Sequence, residues 1–122
     1  MVVTKILKDN IKASALAEFD NMTHIGFGTG VTTPTELDTD LTTPVIRKTF
    51  DETAIKNISN GTYEFSTILG LTEGNGNTLA EVGLFDAETG GTMTIKELLS
   101  NTVEKTVSVE LSVGMKVTVN VP

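Results

Sequence analysis

The sequence LTEGNGNTLAEVGLFDAETGGT, residues 71–92, decides the predicted fold. It holds five of the chain's eleven glycines and four acidic residues, a mixture expected where a loop binds a phosphate or a calcium ion. Within it, TLAEVGLF alternates between two segments, EGNGN and DAETGG, whose glycines and asparagines can adopt positive φ. The pattern therefore predicts a strand framed by two turns. Gly83 inside that strand indicates a close approach by a neighbouring backbone or a large side chain.

Alternation predicts which side chains of this strand share a face. One face carries Ala80, Val82 and Leu84, and the other carries Leu79, Glu81, Gly83 and Phe85.

Alternation continues through most of the remaining chain. Residues 107–121 carry an apolar residue at every odd position, which predicts one long strand with a bend or bulge at Gly114. Asn60-Gly61 separates two further alternating runs and predicts a hairpin. Short strands are predicted at 22–27 and 45–50 as well. The sequence thus predicts an antiparallel β-sandwich of about six to eight strands.

The first twenty residues follow a different period. Leu7, Ile11, Ala15 and Phe19 are spaced four apart, which predicts one amphipathic helix of about four turns. We therefore divide the chain into an N-terminal helix or arm, residues 1–21, and a β-sandwich domain, residues 22–122. The helix either covers one face or end of the sheet or docks on a neighbouring subunit, and the sequence leaves both possibilities open.

Composition excludes several classes of protein. With 122 residues the chain is expected to form one core, and without cysteine it can have no disulfide framework, thiolate zinc site or cysteine nucleophile. The net charge of −7 opposes binding to nucleic acid. No apolar run approaches the ~18 residues of a membrane span, and the charged N-terminus does not resemble a signal peptide. We expect a soluble protein that is not exported by the usual route.

Residues 31–43 are predicted to form a long surface loop. Within it the Thr35 hydroxyl could cap a single helical turn by accepting the amide three residues on. Asp38 and Asp40 in this loop, and Asp86 and Glu88 in the later turn, offer oxygen donors for calcium. Their spacing differs from that of an EF-hand, so solvated acidic turns are predicted, with no metal or cofactor, although calcium binding is left open.

No set of residues predicts catalysis. His24 is the one histidine, and it lies in a predicted strand without a serine in a nucleophile context. The segments GFGTG and EGNGNT lack the remaining features of dinucleotide and phosphate loops. One tyrosine and no tryptophan argue against a sugar-binding module, and no placed carboxylate pair suggests a glycosidase. We expect no enzyme activity and no small-molecule substrate.

The order of the motifs carries a resemblance. The helix is followed by THIGFGTGVTTPT (23–35), VIRKTF (45–50) and GNGNTLAEVGLFDAETGGT (74–92), and then by a terminal strand pair. In this order the motifs resemble a family of small phage and archaeal-virus proteins, the tail-associated virion proteins often labelled tail fibre or tail-collar fibre proteins. The resemblance covers nearly the whole chain.

This resemblance implies a non-enzymatic virion structural protein made in the host cytoplasm. It would lie in the tail, collar, baseplate or fibre-attachment region and assemble as a trimer or higher ring with itself and neighbouring virion proteins, without nucleic acid or membrane. A capsid-surface decoration protein is the alternative, and a receptor- or carbohydrate-binding module is a more distant one. The predicted assembly interface comprises Leu7, Ile11, Phe19, His24, Phe27, Leu37 and Leu41.

Overall fold

The computed structural model describes residues 4–50, 56–59 and 62–118, without the side chains at 7–12, 15–16 and 56–59. In this part of the chain one helix precedes seven strands. Their bounds are α1 Lys5–Asp20, β1 His24–Gly28, β2 Pro44–Thr49, β3 Lys56–Ser59, β4 Thr62–Leu69, β5 Asn77–Phe85, β6 Met93–Lys105 and β7 Leu111–Thr118.

The strands form two antiparallel sheets. The four-stranded sheet has the order β2-β1-β5-β6, and the three-stranded sheet has the order β3-β4-β7. Both sheets turn apolar side chains towards a common core. Its buried members include Ile25, Phe27, Leu79, Val82 and Leu84 from the first sheet and Tyr63, Phe65, Leu69 and Met115 from the second. The predicted fold class, a mainly β antiparallel sandwich with one N-terminal helix, is confirmed.

Strand β5 lies at the centre of the four-stranded sheet, and its predicted faces are largely correct. Val82 and Leu84 enter the core, whereas Glu81 lies on the opposite face. Leu79 departs from the prediction, because the pairing of β5 with β6 shifts register between Leu79 and Glu81. The alternation of β5 breaks at this irregularity, and Leu79 lies in the core together with Val82 and Leu84.

The predicted strand over residues 107–121 is wrong at its beginning. The Val109 amide donates to the Thr106 carbonyl at 3.1 Å, which closes a turn, and Val107 is 70% exposed. Strand β7 begins only at Leu111, because its partner β4 has eight residues and pairs with β7 along its full length. Gly114 pairs with Ser66 without any register shift, so the predicted bend there is also wrong.

The predicted helix is confirmed, and its C-terminal end packs on the three-stranded sheet. Ring centroids of Phe19 lie 6.1 Å from Tyr63 and 6.2 Å from Phe65. The Tyr63 hydroxyl donates to an Asp20 carboxylate oxygen at 2.8 Å, and this hydrogen bond raises the pKa of Tyr63. The boundary between 1–21 and 22–122 stays a prediction.

Strands β3 and β4 pair antiparallel, with Ser59 opposite Thr62, as the predicted hairpin requires. The Asn60-Gly61 turn itself lies outside the described residues.

Candidate functional site

A loop of residues 29–43, here called the covering loop, lies on the outer face of the four-stranded sheet, the face turned away from the three-stranded sheet. Glycines on this face make room for it, since Gly26 and Gly83 pair directly across β1 and β5. A Cβ at Gly83 would lie 2.9 Å from the Phe85 ring and 3.1 Å from Leu41. The close approach predicted at Gly83 is confirmed, and the large side chains are those of Phe85, Leu41 and Met93.

The end of the covering loop is held by a buried carboxylate. Glu81 is fully buried, and its two oxygens accept the backbone amides of Thr42 at 2.6 Å and Thr43 at 3.2 Å. Gly28 and Gly30 provide the space, because a Cβ at Gly30 would overlap the Glu81 carboxylate. A charged acceptor with two amide donors forms strong hydrogen bonds. Glu81 therefore fixes the backbone of the loop to the centre of the sheet.

The middle of the covering loop is held by Lys96 of β6. Its Nζ donates to Asp38 at 2.9 Å and to the Thr42 hydroxyl at 3.1 Å, and its side chain is only 6% exposed. Asp38 in turn accepts the amide and hydroxyl of Thr35. The Lys96 hydrogen bond, followed by those from Thr35, lowers the pKa of Asp38.

The predicted cap of this turn is therefore reversed, because Asp38 accepts the Thr35 amide and the Thr35 hydroxyl acts as a donor.

Arg47 joins the covering loop to the second glycine-rich turn. Its guanidinium carbon lies 3.6 Å from the centroid of the Phe85 ring, and Nη1 donates to the carbonyls of Ala87 and Gly90 at 2.9 and 2.8 Å. Nη2 lies 3.7 Å from Asp40. Arg47 thus ties three separate segments together over one aromatic ring.

Two large apolar side chains of the anchored loop face solvent. Leu37 is 85% exposed and Val31 is 72% exposed. On the C-terminal side of both residues, Glu81 holds the backbone amide of Thr42 and Lys96 holds the Asp38 carboxylate. A loop held in one conformation that exposes apolar side chains is suited to docking, because little conformational freedom is lost on binding.

The structure separates the residues of the predicted interface. Phe27 is fully buried between the sheets, and Leu41 of the covering loop is buried against Gly26 and Gly83 on the outer face of the sheet. Their assignment to an interface is corrected, because both fill the interior of the chain itself. Phe19 is half-buried against the core. His24 is half-buried, with Nδ1 2.7 Å from the Thr23 hydroxyl.

Leu37 of the predicted interface is exposed, and the side chains of Leu7 and Ile11 lie outside the described residues.

Two of the acidic residues considered for calcium accept backbone amides. Asp86 accepts the Thr92 amide at 2.7 Å, and Asp40 accepts the Leu41 amide at 2.8 Å. In the part of the chain that the structure describes, no three acidic or histidine side chains are placed to hold a metal ion.

A second polar cluster lies at the loop between β4 and β5. The fully buried Lys105 donates to the Asn75 side chain at 2.8 Å, and Lys48 donates to both oxygens of Glu73 at 2.6 and 2.7 Å. Hydrogen bonds from Lys48 and from the Gly70 amide lower the pKa of Glu73. No sequence signal marked these residues, because their partners lie about 25 to 30 positions away.

Open clefts in the described structure include one beside β2 and β4 and one beside the covering loop. One, of about 410 Å³, is lined by Lys48, Thr49, Phe50, Ser66, Thr67, Ile68 and Ser112, and directly adjoins residues outside the description. The other, of about 240 Å³, lies between the covering loop and β6 and includes Pro34, Asp38 and Lys96.

No protein-family model and no curated protein matches the chain. Among the described residues, no helix is long and apolar enough to cross a membrane.

Proposed function

We propose that this chain is a non-enzymatic structural protein of a virus particle, located in the tail, collar, baseplate or fibre-attachment region. In this proposal it assembles with copies of itself and with neighbouring virion proteins. The family resemblance of the ordered motifs supplies the class of protein. The observation that carries the proposal is the covering loop, which buried contacts anchor while Leu37 and Val31 remain exposed.

The anchoring contacts suit assembly because they come from the rigid part of the fold. Glu81 belongs to the central strand β5, and Lys96 belongs to its neighbour β6. Leu37 and Val31 would thus contact a partner from a preformed surface, so little conformational entropy would be lost on binding. The described part of the loop surface offers hydroxyl, carboxylate and aliphatic groups, which suit a protein partner.

Electron cryomicroscopy of the intact particle tests the proposal. We expect copies of the chain in the tail region, with Leu37 and Val31 buried against a neighbouring protein. A particle without the chain refutes the proposal, and a location on the capsid surface identifies a decoration protein instead.

A variant pair tests the role of the loop within the particle. Leu37→Asp should greatly reduce incorporation, whereas Thr39→Asp, an equal change of charge at an exposed position two residues away, should have little effect. Equal incorporation of Leu37→Asp and wild type would contradict docking through this loop.

A further inference from the structure

The sheet edges of the molecule differ in how they are protected from pairing with another strand. Strand β2 begins with Pro44 and carries Arg47 and Lys48. Strand β3 has four residues and a register shift. In strand β6, Leu98 pairs with Glu81 of β5 and Val103 pairs with Leu79. The β6 segment between these pairs is three residues longer than the β5 segment, so it bulges out of the ladder. Proline, charge, shortness and bulges all hinder edge pairing.

Strand β7 has almost none of these features. All eight of its residues pair with β4 in one continuous register, without a bulge or proline, and Lys116 is its one charged residue. Within the described residues no strand pairs with its other edge, and no backbone hydrogen bond outside the sheet involves Leu111–Thr118. Among the described residues, the outward backbone groups of β7 thus have no partner strand, which suits this edge to pairing with another strand.

We propose that β7 pairs antiparallel with β7 of a second copy of this chain, with the two-fold axis at Gly114. The two three-stranded sheets then form one continuous six-stranded sheet. In this register Leu111 lies opposite Val117 of the second copy, and Val113 lies opposite its Met115. Since these residues line the core side of β7, apolar side chains meet apolar side chains across the new junction.

Charge and the length of the pairing together select this register over its neighbours. On the exposed face, Lys116 lies opposite Ser112 of the second copy and diagonally next to its Glu110, and symmetry repeats this pair. A shift of two residues in one direction places Lys116 diagonally next to Lys116 of the second copy. A shift in the other direction places Lys116 directly opposite Glu110 of the second copy, but it pairs only residues 111–115 of β7 instead of 111–117. The proposed register alone combines full pairing with opposite charges.

The pairing does not rest on the proposed function, because it concerns the purified chain. Its failure would leave a virion role through the covering loop intact. A particle lacking this chain would in turn leave the pairing of purified copies unaffected.

Cysteine cross-linking tests the register, and the natural chain contains no cysteine. Gly114 would lie opposite itself on the axis, at Cβ separations of about 4.5–5.5 Å that permit a disulfide after small adjustments. A Cβ at Gly114 meets nothing within 4 Å in the single chain, so Gly114→Cys should fold. Ser112→Cys is the matched control, because its counterpart would lie four residues, about 13 Å, away.

We expect Gly114→Cys to form a covalent dimer under mild oxidation at least about tenfold faster than Ser112→Cys. Equal rates for the two variants, or no cross-linking of either, would overturn the proposal. Circular dichroism of both reduced variants verifies that they are folded.

Charge exchange provides a second test on the uncross-linked protein. Light scattering should give twice the 13.0 kDa of one chain for the wild type. Lys116→Glu should weaken dimerisation about tenfold, because it places two acidic pairs at the junction, and adding Glu110→Lys should restore most of the affinity. Lys116 also faces Glu64 within its own chain, so thermal melting separates a folding defect from a pairing defect. A monomeric wild type, or no rescue by the double variant, would contradict the proposal.

Discussion

Glu81 offers the sharpest test of how the covering loop is held. Replacing it by glutamine keeps the shape of the side chain but changes its chemistry. The carboxylate accepts two amides, from Thr42 and Thr43, whereas a glutamine has one acceptor oxygen and turns an NH₂ group towards the other amide. One loop amide thus loses its partner and faces another donor in a buried site.

The expected loss is about 2 kcal/mol in the free energy of unfolding. A hydrogen bond to a charged group contributes about 1.5–3 kcal/mol, and Glu81→Gln removes one such bond and weakens the other. Part of this loss is offset, because the variant no longer buries a charge and no described ion pair of Glu81 compensates that burial. For a domain of this size, about 2 kcal/mol lowers the melting temperature by roughly 6–12 °C.

Urea denaturation measures the loss, and a glutamate-specific protease reports on the loop. Glu36 is the one glutamate in residues 29–43, so faster cleavage after Glu36 indicates release of the loop. Glu97→Gln, at an exposed position of β6, is the matched control and should change stability by less than about 0.5 kcal/mol. If Glu81→Gln matches this control in stability and in cleavage rate, the carboxylate does not anchor the loop.

Three further changes test the neighbouring contacts. Gly83→Ala should cost about 1–3 kcal/mol in urea denaturation, because the added methyl overlaps the side chains packed over the strand, and an unchanged midpoint would refute that packing. Asp38 has a lowered pKa, so its contact with Lys96 stabilises the fold above the unfolded pKa of about 3.9, and this stabilisation is lost as pH falls through the folded pKa. In Asp38→Asn the melting temperature should therefore depend less on pH between about pH 2 and 6 than in the wild type. Tyr63→Phe should cost about 1 kcal/mol by removing the bond to Asp20, and because the pKa of Tyr63 is raised, that difference should shrink above about pH 10; a pH-independent difference would contradict the assignment.

Several elements could be predicted from short stretches of sequence. The spacing of Leu7, Ile11, Ala15 and Phe19 predicted the helix, and alternation predicted the faces of β5 at Val82 and Leu84. The closely packed glycine at position 83 was also predicted correctly. These features depend on neighbours within a few residues, and the side-chain periods of helix and strand report them directly.

The candidate site was predicted only in part. Leu37 was correctly placed on an exposed loop, whereas Leu41 was expected at an interface and is buried. Glu81 was expected on the second face of its strand, but the sequence did not indicate that this face would be covered. Likewise the alternation beginning at Val107 predicted a strand, although β4 is too short to pair with it there.

Local sequence determined which segments become helix and strand and which face of each strand is apolar. Tertiary structure decided what covers the other face, because the contacts responsible join distant positions: the Thr42 amide meets Glu81 across 39 residues, and Lys96 meets Asp38 across 58. Periodicity cannot encode these partners, since a polar strand face has the same pattern whether water or a loop covers it. The covering loop, its buried carboxylate anchor and its exposed Leu37 therefore follow from the folded arrangement of the sheets.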